Sequence, residues 1–520
     1  MFKKNRLSWL YVVFAPLVFT ITACSDSSQV EQEKEVSPSR IFLQQVSFDS
    51  AIVKWRDGPR AVWYGTKSDE LSLNVTASIE NQHKVASLES LSADTNYYYA
   101  FQEAGPAADI MSFRTAPASG TVPADGNTHI WLLGDSGTAT ENSGGSYSHE
   151  GEAIDVMNGF LKYNKEQAGD EPLDLLLLLG DNAYLEGTDE QWQGAFFDIY
   201  TKIIQGVATW PTIGNHEMGT GALFDICIYR RIPACESGPV LMNIGGGSSS
   251  SDPASYDSDG DGPDPSGLPY LNIFTLPAKG EMGGVPSGTE QYYSLNYGNV
   301  HVVSLDSQLT NRDEAQRATM RDWLVDDLSA NELDWTIVIF HHPPYSKGSN
   351  HDSDREQNEI DMRVAFAPVF ENYGVDVIYS GHSHSYERSW YLRGHYGMSD
   401  TFDTASNAFL DSHGKPALGQ GNEPYQQGEA EGRSVYTVAG NAGKADKEKP
   451  CPEGMEMGCT LPNWLKHPAH RTFNEAAAEY KSNGIALKGS IVLDANKSTL
   501  TSRFVDEHGQ VLDYFTITRD

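Results

Sequence analysis

The chain has 520 residues, room for two to four domains and a sizeable core, and 39% of them are hydrophobic, as in globular proteins. Its 71 acidic side chains outnumber 37 basic ones, for a net charge of −34. Such a surface repels nucleic acid and anionic lipid, which argues against nucleic-acid binding, and a site for an anionic substrate would need positive charge of its own.

At the N-terminus, Lys3, Lys4 and Arg6 precede a mostly apolar stretch from Leu7 to Val18, and the run ends Ile21-Thr22-Ala23-Cys24. This is the pattern of an export signal. Its end resembles a bacterial lipobox, where cleavage leaves a lipid-modified Cys at the new N-terminus. The expectations are a lipoprotein signal peptide over 1–24, membrane attachment through lipidated Cys24, and export to the periplasm or cell surface. Ser25 after the Cys favours an outer-membrane lipoprotein. Residues 25–39 are polar and read as a flexible tether. Cys227, Cys235, Cys451 and Cys459 then form two close pairs, each eight residues apart. Two local disulfide loops in an oxidising compartment are expected, although four cysteines allow three pairings. A four-thiolate zinc site is the weaker reading, because no C-x-x-C spacing occurs.

Residues 40–117 read as all-β. Ile41 to Phe48, Ala51 to Trp55, Ala61 to Tyr64 and Tyr97 to Phe101 are short β-rich runs between turn residues. The segment from Leu91 to Tyr99 resembles the L-x-x-x-T-x-Y-x-Y signature of fibronectin type III-like sandwiches, and Ser112 to Pro117 fits a last strand of such a module. No catalytic cluster lies here, so a structural domain is expected, followed by a linker over 118–127.

From His129 onward, apolar runs alternate with helical segments, the mark of an α/β sheet. Asp189 to Ile204, Asp313 to Leu328 and Met362 to Phe370 read as helices with core-facing aromatic and apolar stripes. Residues 236–290 and 394–433 are polar insertions. Asp257 to Gly262 copies the first half of a calcium loop, but Leu268 stands where the closing Glu would be, so a solvated acidic turn is favoured. Ser490 to Leu493, Leu500 to Phe504 and Val511 to Thr518 read as closing strands.

Five apolar runs each end in a potential ligand. Ile130 to Leu133 leads into Gly134-Asp135-Ser136-Gly137, and Leu175 to Leu179 into Gly180-Asp181-Asn182-Ala183-Tyr184. Trp210 to Ile213 leads into Gly214-Asn215-His216-Glu217, Ile337 to Phe340 into His341-His342, and Val377 to Ser380 into Gly381-His382-Ser383-His384. Strands of one sheet share a carboxyl edge, so these blocks are expected to converge there, with Asp181 as hub. Carboxylates, an Asn carbonyl, a phenol and imidazoles without thiolates suit Fe, Mn or Zn. The set is too large for one ion and fits a two-metal centre, with ions about 3.5–4 Å apart clamping an in-line displacement.

These blocks resemble the calcineurin-like metallophosphoesterases, and in detail their purple acid phosphatase branch. The first block lacks the superfamily's His, and Tyr184 stands three residues after Asp181. His341-His342-Pro343-Pro344-Tyr345, the stretch from Gly381 to Arg388 and the stretch from Val435 to Gly440 are further echoes, and the resemblance covers about 40–520. It implies an α/β (α+β) sandwich of β-sheets flanked by helices over 126–520, behind the fibronectin type III-like β-sandwich. It implies that Asp135, Asp181, Tyr184 and His384 bind Fe(III). Asp181, Asn215, His341 and His382 would bind a divalent ion (Fe, Zn or Mn), with Asp181 bridging. His342 is passed over because the V-x-x-H spacing from Val338 favours His341. His216 and His351 would face the phosphate as acid–base or electrostatic groups. The acidic run from Asp352 to Glu356 reads as solvated surface. The expected activity is that of an acid phosphatase hydrolysing small phosphomonoesters by metal-hydroxide attack. A phosphodiesterase or nucleotidase on the same scaffold, and a surface binding protein with a silent enzyme domain, are the alternatives.

Overall fold

The computed structural model describes residues 37–102, 109–137, 152–184, 187–218, 268–308, 310–348, 351–427, 432–450, 460–477 and 479–519. The signal-like segment, all five cysteines, the calcium-loop-like turn and much of the first insertion lie outside the described residues.

Eight strands come first: Ser39–Gln44 (β1), Ser50–Arg56 (β2), Ala61–Gly65 (β3), Leu73–Thr76 (β4), Ser78–Glu80 (β5), His83–Glu89 (β6), Asn96–Ala100 (β7) and Met111–Arg114 (β8). They form two four-stranded antiparallel sheets, ordered β1-β2-β6-β5 and β4-β3-β7-β8. Alternate residues such as Val53, Trp55, Tyr97 and Tyr99 turn inward and are buried. Strands β4 and β5 escaped the sequence reading because nearly all their residues are exposed. Arg40 and Arg56 both pair with Asp189, at 2.7 and 2.6 Å. The Gln44 amide donates to the Thr209 carbonyl (2.6 Å), and the Tyr99 hydroxyl donates to that of Gln205 (2.8 Å).

Thirteen more strands build a second, larger sandwich. They are Thr128–Leu133 (β9), Leu175–Leu178 (β10), Thr209–Pro211 (β11), Tyr293–Tyr297 (β12), Val300–Ser304 (β13), Trp335–Ile339 (β14), Val377–Ser380 (β15), Tyr386–Arg388 (β16), Tyr425–Gln426 (β17), Val435–Ala439 (β18), Gly489–Ala495 (β19), Thr499–Asp506 (β20) and Val511–Thr518 (β21). One mixed sheet has the order β11-β10-β9-β19-β20-β21-β17, and the other β12-β13-β14-β15-β18-β16. The runs β9, β10, β14 and β15 are buried along their whole length, as parallel strands covered on both faces require.

The period of two is visible in the packing. Val302, Ile337, Ile339, Val377 and Tyr379 face the core shared with the other sheet. Their neighbours Val303, Val338, Phe340 and Ile378 face Met320, Leu324, Met362 and Phe370 on the outer helices. Tyr379 donates to Ser502 (2.8 Å), and Tyr386 stacks on Phe504 at 4.3 Å, which joins the two sheets.

The helix Glu314–Ala330 starts where Asp313 accepts from the backbone of Ala315 and Gln316. The single helix expected from Met362 to Phe370 is two, Gln357–Ala365 and Ala367–Asn372. Pro368 lacks an N–H and its ring clashes with the carbonyl four residues back, so the chain breaks at Phe366. The five ligand-bearing strands do not share one sheet. Strands β9, β10 and β11 belong to one sheet, and β14 and β15 to the other. Apolar runs record burial and not the identity of the partner strand, so this division was not readable.

Candidate metal centre

The carboxyl ends of the two sheets meet, and the loops leaving them carry the predicted residues. Asp135, Asp181 and His382 hold φ values of 55°, 55° and 67°, a left-handed conformation that side chains ordinarily avoid. Each follows a glycine. Gly381 has no room for a side chain, because a Cβ there would lie 2.4 Å from Asp135 Oδ2. The strand ends approach one another as closely as backbone allows.

Asp135, Asp181, Tyr184 and His384 converge. The Tyr184 hydroxyl lies 3.1 Å from Asp135 Oδ1, 3.2 Å from Asp181 Oδ2 and 3.3 Å from His384 Nε2. The His382 backbone donates to Asp135 Oδ2 (2.8 Å), and the His216 backbone to Asp181 Oδ1 (2.8 Å). His341 Nε2 stands 3.2 Å from Asp181 Oδ2 and 3.0 Å from Asn215 Oδ1. The His382 ring lies 5.0 Å from that of His341. The His216 ring lies 4.2 Å from that of Tyr184 and the His351 ring 3.8 Å from that of His382, each pair tilted by 46°. All of the predicted site residues are thus brought together. His342, which the spacing passed over, turns to Ser307 and Asn358 instead of toward Asp181.

Each of the three candidate ligand histidines has one nitrogen held from behind, and His341 and His384 turn the other to the centre. His341 Nδ1 donates to the Leu179 carbonyl (2.8 Å). His384 Nδ1 faces Asp446 at 3.3 Å, and His382 Nε2 faces Glu356 at 2.9 Å. A carbonyl or carboxylate only accepts, so in the neutral ring the proton sits on the rear nitrogen and the front one keeps its lone pair. His382 Nδ1 is buried with no hydrogen-bond partner among the described residues. A metal ion would complete it, and the hard-oxygen and imidazole donors around it suit one. Three overlapping triples, Asp135 with Asp181 and His341, His341 with His342 and His382, and His351 with Glu356 and His382, each bring one donor atom apiece within 4.8 Å of one another.

The buried charges of the centre act strongly on one another. Burial disfavours charge on Asp181, but His341 and His216 outweigh it and hold its carboxyl far below the ordinary range. Burial works against a charged His341 as well, but Asp181 lifts it to about 10. Burial and the charge of His351 lower His382 to about 4. Burial and the charge of Asp181 raise Glu217 to about 7.

A profile of the calcineurin-like phosphoesterase family matches residues 128–386. That span runs from β9 to the start of β16 and includes every predicted site residue. The chain carries a calcineurin-like phosphoesterase domain. Over 381 residues it is 24% identical to a phosphoenolpyruvate phosphatase of Allium cepa, a match covering 69% of this chain and 64% of that protein. The chain thus spans less than two thirds of that relative's length. Over 372 residues it is 22% identical to probable purple acid phosphatase 20 of Arabidopsis thaliana, covering 68% of this chain and 69% of that one. The structure of purple acid phosphatase PPD1 from yellow lupin, Lupinus luteus, shares the fold, with a TM-score of 0.59 at 17% identity over 93% of this chain and 75% of the other. Purple acid phosphatases are therefore among the homologues of this phosphoesterase domain.

Three carboxylates of the phosphoesterase site escaped the sequence reading. Glu217 accepts from the backbone of Asp181 (2.8 Å), Asn182 (2.7 Å) and Gly214 (2.8 Å), and so pins two strand ends together. Its place straight after Asn215-His216 was the available signal. Asp446 follows the Val435 to Gly440 block, whose role was read only as an echo. Glu356 corrects the expectation that Asp352 to Glu356 is solvated. Asp352 and Glu356 are 5% and 8% exposed, Asp352 pairs with Lys347, and Glu356 also receives His351 Nδ1 at 3.1 Å. A charged run in a Gly/Ser-rich setting looks the same in sequence whether it meets water or histidines.

Proposed function

We propose that this protein is an exported binuclear-metal phosphatase that hydrolyses small phosphomonoesters. The observation that carries the reading is the set of three histidines around one acidic centre, each with one nitrogen anchored from behind and the other left for a metal. Asp135, Asp181, Tyr184 and His384 would hold Fe(III), and Asp181, Asn215, His341 and His382 a divalent Fe, Zn or Mn ion, with Asp181 shared. When bound, the ions supply Lewis-acid polarisation of the phosphoryl oxygens and acidify the attacking water.

The chain's own residues do the rest. Glu217 fixes the backbone that presents Asp181. His216 is held against Tyr184 and near Asp181, and would donate a proton to the departing ester oxygen. Glu356 holds His351 beside His382, where its positive form would bind a phosphoryl oxygen. Residues 40–117 would form a fibronectin type III-like support, and lipidated Cys24 an outer-membrane attachment with the enzyme facing the periplasm or cell surface.

The test is hydrolysis of a simple aryl phosphomonoester and the matching diester by metal-loaded protein at mildly acid pH. Turnover of the monoester, abolished by chelation and restored by metal, is expected. Turnover of the diester alone would move the reading to a phosphodiesterase, and no turnover of either would defeat it.

A further inference from the structure

Glu387 lies on β16 and is fully buried. Its neighbours fix the strand on both sides. Tyr386 stacks on Phe504 at 4.3 Å, and Arg388 pairs with Asp513 at 2.7 Å. Glu387 is no candidate ligand, yet its two oxygens collect groups from three separate segments. Oε1 accepts from the Ser346 hydroxyl (2.7 Å), with the Ser383 and Ser385 hydroxyls at 3.4 and 3.5 Å. Oε2 accepts from the Lys347 backbone (3.1 Å) and stands 3.0 Å from His470 Nδ1.

Ser346 and Lys347 open the loop that carries His351. The Ser346 amide donates to Ser353 Oγ and the Ser353 amide to the Ser346 carbonyl, each at 3.1 Å. Lys347 meets Asp352 through a backbone bridge and through its ammonium. The two sides of the loop, 346–348 and 351–353, are thus tied into one unit. That unit lies hard against the centre. A Cβ on Gly348 would fall 2.0 Å from Ser383 Oγ, and Ser383 stands between His382 and His384. From this loop the His351 ring reaches to 3.8 Å from that of His382. The placement of the loop therefore sets the placement of His351, and Glu387 is the rigid point to which its first residues are fastened.

We propose that Glu387 is a positioning residue for His351, which by fastening Ser346 and Lys347 holds the His351 imidazole where a phosphoryl oxygen is bound. The inference rests on the phosphatase reading above and adds to it a residue that would touch neither ion nor substrate. A carboxylate suits the place because it only accepts, and both loop groups facing it are donors. A glutamine there has one acceptor and one donor group. With its carbonyl toward the Lys347 amide, its NH2 would face Ser346 Oγ, which already accepts from the Gly348 amide (3.2 Å). With its carbonyl toward Ser346, two N–H groups would oppose each other at Lys347. Either way the loop loses one of its two ties to β16, and a displacement of about 1 Å at a contact group can cost about 100-fold. The rival role is purely structural, with Glu387 serving as the buried partner of His470.

The experiment is a double-mutant cycle on metal-loaded protein at mildly acid pH, with wild type, Glu387→Gln, His351→Ala and the pair together. It reads orthophosphate affinity by calorimetry, kcat/KM for an aryl monoester, and metal content. His351→Ala is expected to weaken orthophosphate about tenfold and Glu387→Gln about fivefold. In the His351→Ala background, Glu387→Gln should change the affinity by less than about twofold, because the group it positions is gone. The monoester kcat/KM should show the same loss of additivity, with metal content unchanged throughout. Ser346→Ala removes one tie without touching the buried carboxylate. It should weaken orthophosphate about threefold alone and less than about 1.5-fold beside His351→Ala, which decides the matter if Glu387→Gln does not fold. Equal losses in both backgrounds, a loss of metal, or unchanged affinity in the folded variants would overturn the proposal. So would a wild type that binds orthophosphate no better than His351→Ala. A wild type that hydrolyses neither monoester nor diester defeats the phosphatase reading instead, and the orthophosphate cycle still decides Glu387 by itself.

Discussion

Asp135, Asp181 and His382 each sit in a left-handed backbone conformation, at a cost of about 1–2 kcal/mol apiece for a non-glycine residue. The fold accepts that cost three times at one place, which is where the donor atoms meet. Around them the rear contacts decide tautomers. Glu356 is the clearest case, because one carboxylate holds both His382 and His351. In Glu356→Gln the amide can present either an acceptor or a donor to His382 Nε2, so the free lone pair at Nδ1 is no longer specified. Divalent-ion affinity should fall about 10–100-fold, read by metal titration, and an unchanged affinity would remove Glu356 from this role. Tyr184 predicts a colour. If its phenolate binds Fe(III), protein purified without added metal absorbs in the visible, and Tyr184→Phe loses that band while remaining folded. A band that survives the substitution would assign it to another group.

At the scale of elements, the strands were the most legible part. Leu175 to Leu179 has no polar residue to turn toward water, so it reads as a strand covered on both faces. The same property hid the division between sheets, since β10 and β14 are equally apolar and nothing in either names its neighbours. Ligands at strand ends were legible because each glycine–acid or glycine–histidine step follows an apolar run. Glu356 was not, because its partner His382 is 26 residues away. The N-terminal sheets meet the phosphoesterase domain through Arg40, Arg56 and Asp189, and the Arg40 side chain is only 1% exposed. Asp189→Ala would leave that guanidinium buried without its carboxylate. Because Asp189 itself is 37% exposed, the cost should be about 2 kcal/mol, below that of a fully buried pair. Chemical denaturation checks it, and a change under about 0.5 kcal/mol would show the contact to be incidental.

Across the whole molecule, acidity acts on stability as well as on catalysis. Burial, reinforced by Lys54 and Arg56, lowers His83 from 6.5 to about 3. Folded protein therefore keeps His83 neutral, while unfolded chain takes up a proton as pH falls below 6.5. The folded state loses stability between pH 6.5 and 3, by at most about 1.4 kcal/mol per pH unit from this residue. His83→Phe should flatten that part of a stability–pH curve, and an unchanged slope would assign it to other groups.

The central claim is that Asp181 joins the donors of two sheets into a centre for two ions. Metal analysis of wild type and Asp181→Ala, purified identically and confirmed folded, tests it most directly. The account predicts two ions per wild-type chain, one of them iron, and loss of both in Asp181→Ala. One ion in the wild type, or two retained in a folded Asp181→Ala, would contradict it.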